Sequence, residues 1–209
     1  LLEVEKINNA INQDGGRLVM NYVDTNNALV LTEEGLLAAV NTYHSQHITL
    51  YNNITFKGAG LVVGQGVNVT IDLNGYTVSA PNDVAGDGVF HVTSGGRLTI
   101  EDSQGTGVVD GECVSEYKMA VWADGGEVTI NGGTFTNSST EGTETQYDLI
   151  YASNGGRITI NNGKFDCKTP RWTLNVRNEH KDYTFITVNG GEFLNYDPSA
   201  STTDENKDN

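Results

Sequence analysis

The stretch Ser94-Gly95-Gly96-Arg97-Leu98-Thr99-Ile100 decides the fold, because it comes back twice. It returns as Asp124-Gly125-Gly126-Glu127-Val128-Thr129-Ile130 and as Asn154-Gly155-Gly156-Arg157-Ile158-Thr159-Ile160, each copy thirty residues after the last. Looser copies end at Ile71 and at Val188, 29 residues before the first copy's end and 28 after the third's. A fixed period of roughly 20–50 residues is the signature of a stacked architecture, in which no unit can bury its apolar face alone.

Within each period the same parts recur. An upstream strand meets a Gly-Gly bend, then the apolar-Thr-apolar strand, then a third short strand at Phe135, Phe165 or Phe193. Three short strands and three bends per period make one coil of a parallel β-helix. Side chains alternate along a strand, so Leu98, Val128, Ile158 and Ile186 share an inward face with Ile100, Ile130, Ile160 and Val188. Thr70, Thr99, Thr129, Thr159 and Thr187 then face outward. Tyr76, Phe135, Phe165 and Phe193 each follow a reference apolar residue by five and are expected to stack inside. Arg97, Glu127 and Arg157 align as an outer ladder of alternating charge.

The fold expected from these columns is all-β, a single parallel β-helix of about five to six coils over residues 32–196. Thr32 reads as a helix N-cap, with Glu33 and Glu34 in the first turn. Leu36, Leu37 and Val40 supply one apolar stripe. Such a helix covers the open end of the stack, whose first rung would otherwise expose apolar side chains and unpaired backbone. Residues 1–31 read as a stalk or adaptor. Val4, Ile7 and Ile11 have heptad spacing, which suits either a helical turn at a chain end or the last heptads of an oligomerising stalk. Residues 197–209 read as a polar, acidic tail or linker.

The formal charge of −15 argues against nucleic-acid partners and anionic membrane surfaces. No apolar run approaches the roughly 18 residues of a membrane helix, so no insertion is expected. Gly58-Ala59-Gly60 and Gly64-Gln65-Gly66 read as turn glycines rather than phosphate loops, and no cofactor is expected. Cys113 and Cys167 lie in different repeats. Their spacing favours two buried thiols and leaves a disulfide open.

The run Ile71-Asp72-Leu73-Asn74-Gly75-Tyr76-Thr77-Val78, residues 95–102, and Ile130-Asn131-Gly132-Gly133-Thr134-Phe135 together resemble right-handed parallel β-helix proteins of the pectate-lyase-like superfamily. The resemblance covers roughly residues 32–196. It implies the fold and raises polysaccharide lyase or hydrolase chemistry. Lyases of that superfamily hold Ca²⁺ between acids on neighbouring rungs, with an Arg or Lys as base, and hydrolases need a carboxylate pair. The closing run from Val188 to Ser199 is similar to repeats in fibre-like structural proteins of phages that infect gut Bacteroidetes, and in secreted proteins of those bacteria.

Such acids are sparse in the columns. Asp72 and Glu101 share one column, followed by Asn131, Asn161 and Asn189, which reads as a polar outer ladder and at most a weak cation site. No column carries three acids. His91, Val121, Tyr151 and Asn175 align by period on the outer face of the upstream strand, with Phe90/Val92, Ala120/Trp122 and Ile150/Ala152 expected inward. His91, Tyr151 and Asn175 are the candidate ligand-binding residues, because aromatic and amide side chains on a flat β face suit a sugar or another subunit. The reading therefore leans away from an enzyme. It favours a structural or adhesion module, a trimeric phage head fibre or tailspike at the virion surface that contacts host glycan. A secreted or surface bacterial glycan-binding protein, or a polysaccharide lyase or hydrolase, stays open as the alternative.

Overall fold

The computed structural model describes residues 20–80, 88–112, 119–137 and 147–200. A short antiparallel pair, β1 (Tyr22–Val23) and β2 (Asn27–Val30), leads into helix α1 (Glu33–Asn41). The chain then winds coil by coil. The first coil is β3 (His47–Leu50), β4 (Ile54–Thr55) and β5 (Leu61–Val63), and the second is β6 (Asn68–Asp72), β7 (Thr77–Ser79) and β8 (Gly88–Thr93). The third is β9 (Arg97–Glu101), β10 (Val108–Asp110) and β11 (Met119–Asp124), and the fourth is β12 (Glu127–Ile130), β13 (Thr134–Thr136) and β14 (Ile150–Ser153). The fifth is β15 (Arg157–Ile160), β16 (Lys164–Asp166) and β17 (Leu174–Val176), and β18 (Phe185–Val188) and β19 (Glu192–Phe193) begin another.

Each coil gives one strand to each of three sheets. The first sheet runs β1-β2-β3-β6-β9-β12-β15-β18, the second β4-β7-β10-β13-β16-β19, and the third β5-β8-β11-β14-β17. Among the described residues every strand-to-strand pairing after β1–β2 is parallel. The third sheet, the shortest, has five strands and so four rises. The solenoid closed on all three sides thus amounts to about four turns, fewer than the five to six coils expected. The count falls because the ends are built differently: α1 follows β2 where strands of the second and third sheets would stand, and among the described residues no strand follows β19.

In the first sheet the register is the one the repeat predicts. Leu98, Val128, Ile158 and Ile186 lie opposite one another, as do Ile100, Ile130, Ile160 and Val188. The threonines at 70, 99, 129, 159 and 187 form one outward column. Residues in the closed coils are buried, whereas Ile186 and Val188 on the last rung are half-buried. The charge ladder forms in part. Arg97 grips Glu127 through Nε at 3.0 Å and Nη2 at 3.3 Å, while Arg157 lies over the Phe185 ring at 5.0 Å.

The second sheet corrects one expectation. Its inward column reads Ile54, Val78, Val109, Phe135, Phe165 and Phe193. Phe135 and Phe165 are fully buried neighbours with ring centroids 5.2 Å apart, and Phe193 continues the stack at 4.7 Å. Tyr76 is outside it. The bend after Ile71 is longer: Asn74 and Gly75 both turn through positive φ, and Val78, seven residues on, takes the column position. The bend after Ile100 is longer again, and Val109 of β10, nine residues on, takes the column position.

Helix α1 begins as its cap predicts, with the Thr32 hydroxyl accepting from the Gly35 N–H at 3.1 Å. Leu36, Ala39 and Val40 are fully buried in the common core, and α1 packs on β1, β2 and β5. Residues 22–30, which the sequence places with the segment 1–31, supply β1 and β2 of the first sheet. The heptad-spaced Val4, Ile7 and Ile11, Cys113, and residues 201–209 of the tail lie outside the described residues. Cys167 is a buried free thiol that donates to the Tyr147 carbonyl at 3.0 Å, and burial raises its pKa.

Candidate functional site

The outer face of the third sheet carries one column of side chains: Val62, His91, Trp122, Tyr151 and Asn175. Sequence counting puts Val121 between His91 and Tyr151. The structure puts Trp122 there and turns Val121 fully inward. The cause is a bend one residue short. Three residues, 94–96, join β8 to β9, and three, 154–156, join β14 to β15, but only Gly125 and Gly126 join β11 to β12. Asp124 therefore pairs with Thr93 and Ser153, not with Ser94 and Asn154. In a strand a slip of one residue swaps the two faces. Gly125 makes the tight bend with φ +79, and a Cβ there would stand 2.3 Å from Ser94 Oγ.

The face is held by stacking and by one carboxylate. The His91 and Trp122 rings lie 4.0 Å apart and 3° from parallel, and Tyr151 follows at 6.2 Å, tilted by 51°. Asp124 Oδ1 accepts from Ser153 Oγ at 2.9 Å and from Asn154 Nδ2 at 2.5 Å, and its Oδ2 lies 3.4 Å from His91 Nε2. The indole Nε1–H of Trp122 donates to Ser153 Oγ at 2.9 Å. Burial alone would raise the Asp124 pKa, but the hydrogen bonds from Asn154, Ser153 and His91 outweigh it and hold the carboxyl below the ordinary range. At the column's end the Asn175 amide donates to buried Asp148 at 2.8 Å. His91 and Trp122 turn their faces to each other, so this column meets solvent with ring edges and polar atoms.

His91, Tyr151 and Asn175 are thus brought into one row, as the sequence anticipates. Trp122 fills the row, and Asp124 and Ser153 brace it from the next column of the same sheet; sequence spacing places none of the three there. A signal for Trp122 was available: Phe90-His91-Val92, Val121-Trp122-Ala123 and Ile150-Tyr151-Ala152 share an apolar-ring-small pattern that the thirty-residue count conceals.

Asp72 and Glu101 do stand side by side at the ends of β6 and β9. Asp72 Oδ1 takes the backbone N–H groups of Asn74 at 2.8 Å and Ser103 at 2.9 Å. Glu101 receives the first amide of a ladder in which Asn189 donates to Asn161 and Asn161 to Asn131, both at 2.9 Å. Among the described residues no three His, Cys, Asp or Glu side chains gather closely enough to hold a metal ion.

Comparison with known protein families, with curated proteins and with solved structures finds no match. The fold and this face define the chain as a parallel β-solenoid with a ring-edged outer row on its third sheet.

Proposed function

We propose that this chain is a non-enzymatic structural and adhesion module of the fibre or spike kind, and that the outer row of the third sheet contacts glycan on a host cell. The observation that carries the reading is how the carboxylates are used. Asp124 holds together Ser153, Asn154 and His91 across neighbouring rungs. Asp102 accepts the backbone N–H of Gly75 with one oxygen and of Gly107 with the other, at 2.8 and 2.7 Å. Asp24 accepts from the backbone of Asn26 and Asn27, and Asp110 from that of Glu112. Carboxylates spent on bends support shape, whereas general acid–base work needs a carboxyl free to exchange its proton near neutral pH.

Ring edges, an indole and anchored amides along one row suit the hydroxyl-rich edge of a polysaccharide lying along the solenoid. The heptad spacing of Val4, Ile7 and Ile11 supports a bundle of three chains, and such a module belongs at a virion surface. Binding of the chain to an array of bacterial capsular and cell-wall glycans tests the adhesion reading. Retention on at least one polysaccharide, weakened about thirtyfold by Trp122→Ala, is expected if Trp122 is a central contact. Product release from a polysaccharide, or binding indifferent to substitutions along this row, overturns it. Sedimentation equilibrium of the full chain tests the trimer.

A further inference from the structure

The chain contains the dipeptide Asn-Gly five times, at Asn74, Asn131, Asn154, Asn162 and Asn189. This is the pair most prone to spontaneous backbone attack on a side-chain amide, because glycine puts no side chain in the way. The attack needs two freedoms: the glycine N–H must lose its proton and swing toward the Asn Cγ, and the amide must turn to meet it. The five copies differ in the freedom of the amide, and two of them also in that of the glycine.

At Asn74-Gly75 the glycine N–H is held by Asp102 Oδ1 at 2.8 Å, and the Asn74 amide donates to the Leu50 carbonyl at 2.9 Å. At Asn154-Gly155 the glycine N–H is held by Thr184 Oγ1 at 2.9 Å, and the amide donates to Asp124. Asn131 and Asn189 have their amides tied into the outer ladder, Asn131 accepting from Asn161 and Asn189 donating to it. Asn162 differs from all four. It is exposed, its side-chain amide has no hydrogen-bond partner among the described residues, and its own backbone N–H reaches Ile130 O only at 3.4 Å. Gly163 already holds a φ of +128 that other residues rarely adopt, and its N–H, like those of Gly132 and Gly190, has no partner among the described residues, so it is the free side-chain amide that sets Asn162 apart.

We infer that Asn162-Gly163 is a built-in deamidation site of this protein, one that the other four Asn-Gly pairs escape through their hydrogen bonds. Hydroxide removes the Gly163 amide proton. The nitrogen attacks Asn162 Cγ, the Cγ–Nδ2 bond breaks and ammonia leaves, giving a five-membered succinimide. Water then opens the ring at either carbonyl to give Asp or isoAsp at 162. The reaction uses only water and hydroxide and changes no oxidation state. The isoAsp product adds one methylene to the backbone three residues before Phe165, where a Cβ on Gly163 would already stand 3.3 Å from the Phe165 ring.

The test is incubation of the full chain at pH 9, followed by peptide mapping for the amide-to-acid mass gain and for isoAsp by enzymatic methyl labelling. In the folded chain the peptide holding Asn162 is expected to convert at least about tenfold faster than those holding Asn74 and Asn154, the scale on which one retained hydrogen bond counts. In urea the five sites should converge to within a few-fold. Asn162→Gln should remove the folded-state signal and leave the urea pattern at the other four. Conversion of Asn74 or Asn154 as fast as Asn162 in the folded chain overturns the inference, as does a folded Asn162 that stays intact while its urea control reacts.

Discussion

Two stacks of rings run along this solenoid, one inside and one outside, and they are held for different reasons. Inside, Phe135, Phe165 and Phe193 repeat at about the sheet's own rise, with nothing polar among them. Outside, His91 and Trp122 lie closer, at 4.0 Å, but Tyr151 opens away at 6.2 Å and a carboxylate ties the rungs together. The inner stack is area and shape. The outer one is hydrogen bonding with rings attached. The comparison shows why a repeat can be strict within and varied without: the inner ring column takes apolar side chains of fitting size, whereas the outer row needs only that each rung find a partner.

Four substitutions would break or sharpen that contrast. Phe165→Ala, in the middle of the inner stack, should cost about 3–5 kcal/mol in denaturant unfolding, because it opens a cavity between two rings that cannot both close in. Trp122→Ala should cost less, about 1–2 kcal/mol, since the indole is only partly buried and gives up one stacked pair. If the two losses are equal, the distinction between the stacks is wrong. Asp124→Asn should cost less again, and its effect should depend on pH. The carboxyl's folded pKa is depressed, so its stabilisation is fully present above the unfolded value of about 3.9 and is lost as pH falls through the lower folded value. Unfolding midpoints of wild type and variant should therefore differ at pH 7 and converge below about pH 4. Arg97→Ala is the smallest, at most about 1 kcal/mol and fading with added salt, because both partners of its ion pair with Glu127 are more than half exposed.

How much the sequence revealed follows from where the slack lies. The columns at 98/128/158/186 and 100/130/160/188, the outward threonines and the Phe135–Phe165 stack were legible, since each is counted from the same strand. The Thr32 cap was legible because capping is local. The third-sheet face was legible by halves. His91, Tyr151 and Asn175 fell in one row, but Val121 and Trp122 exchanged sides. From Val92 to Ala123 is 31 residues and from Ala123 to Ala152 is 29, so the two deviations cancel over two coils and a thirty-residue count never registers them. Tyr76 failed for a related reason: bends can lengthen without disturbing the strands they join. Asp124 and Ser153 could not be found from spacing, because their roles depend on that one missing residue.

The short bend at Gly125-Gly126 also fixes how this chain can be cut and rejoined. Excising residues 97–126 splices Gly96 to Glu127 and leaves every remaining side chain facing as before. Excising residues 92–121 removes the same length, yet it delivers the indole of Trp122 to the interior position that Val92 holds. Two deletions of thirty residues, begun five positions apart, give one shorter rod and one with a tryptophan lodged in its core. Recombination among coils is therefore tolerated at some junctions and not at others.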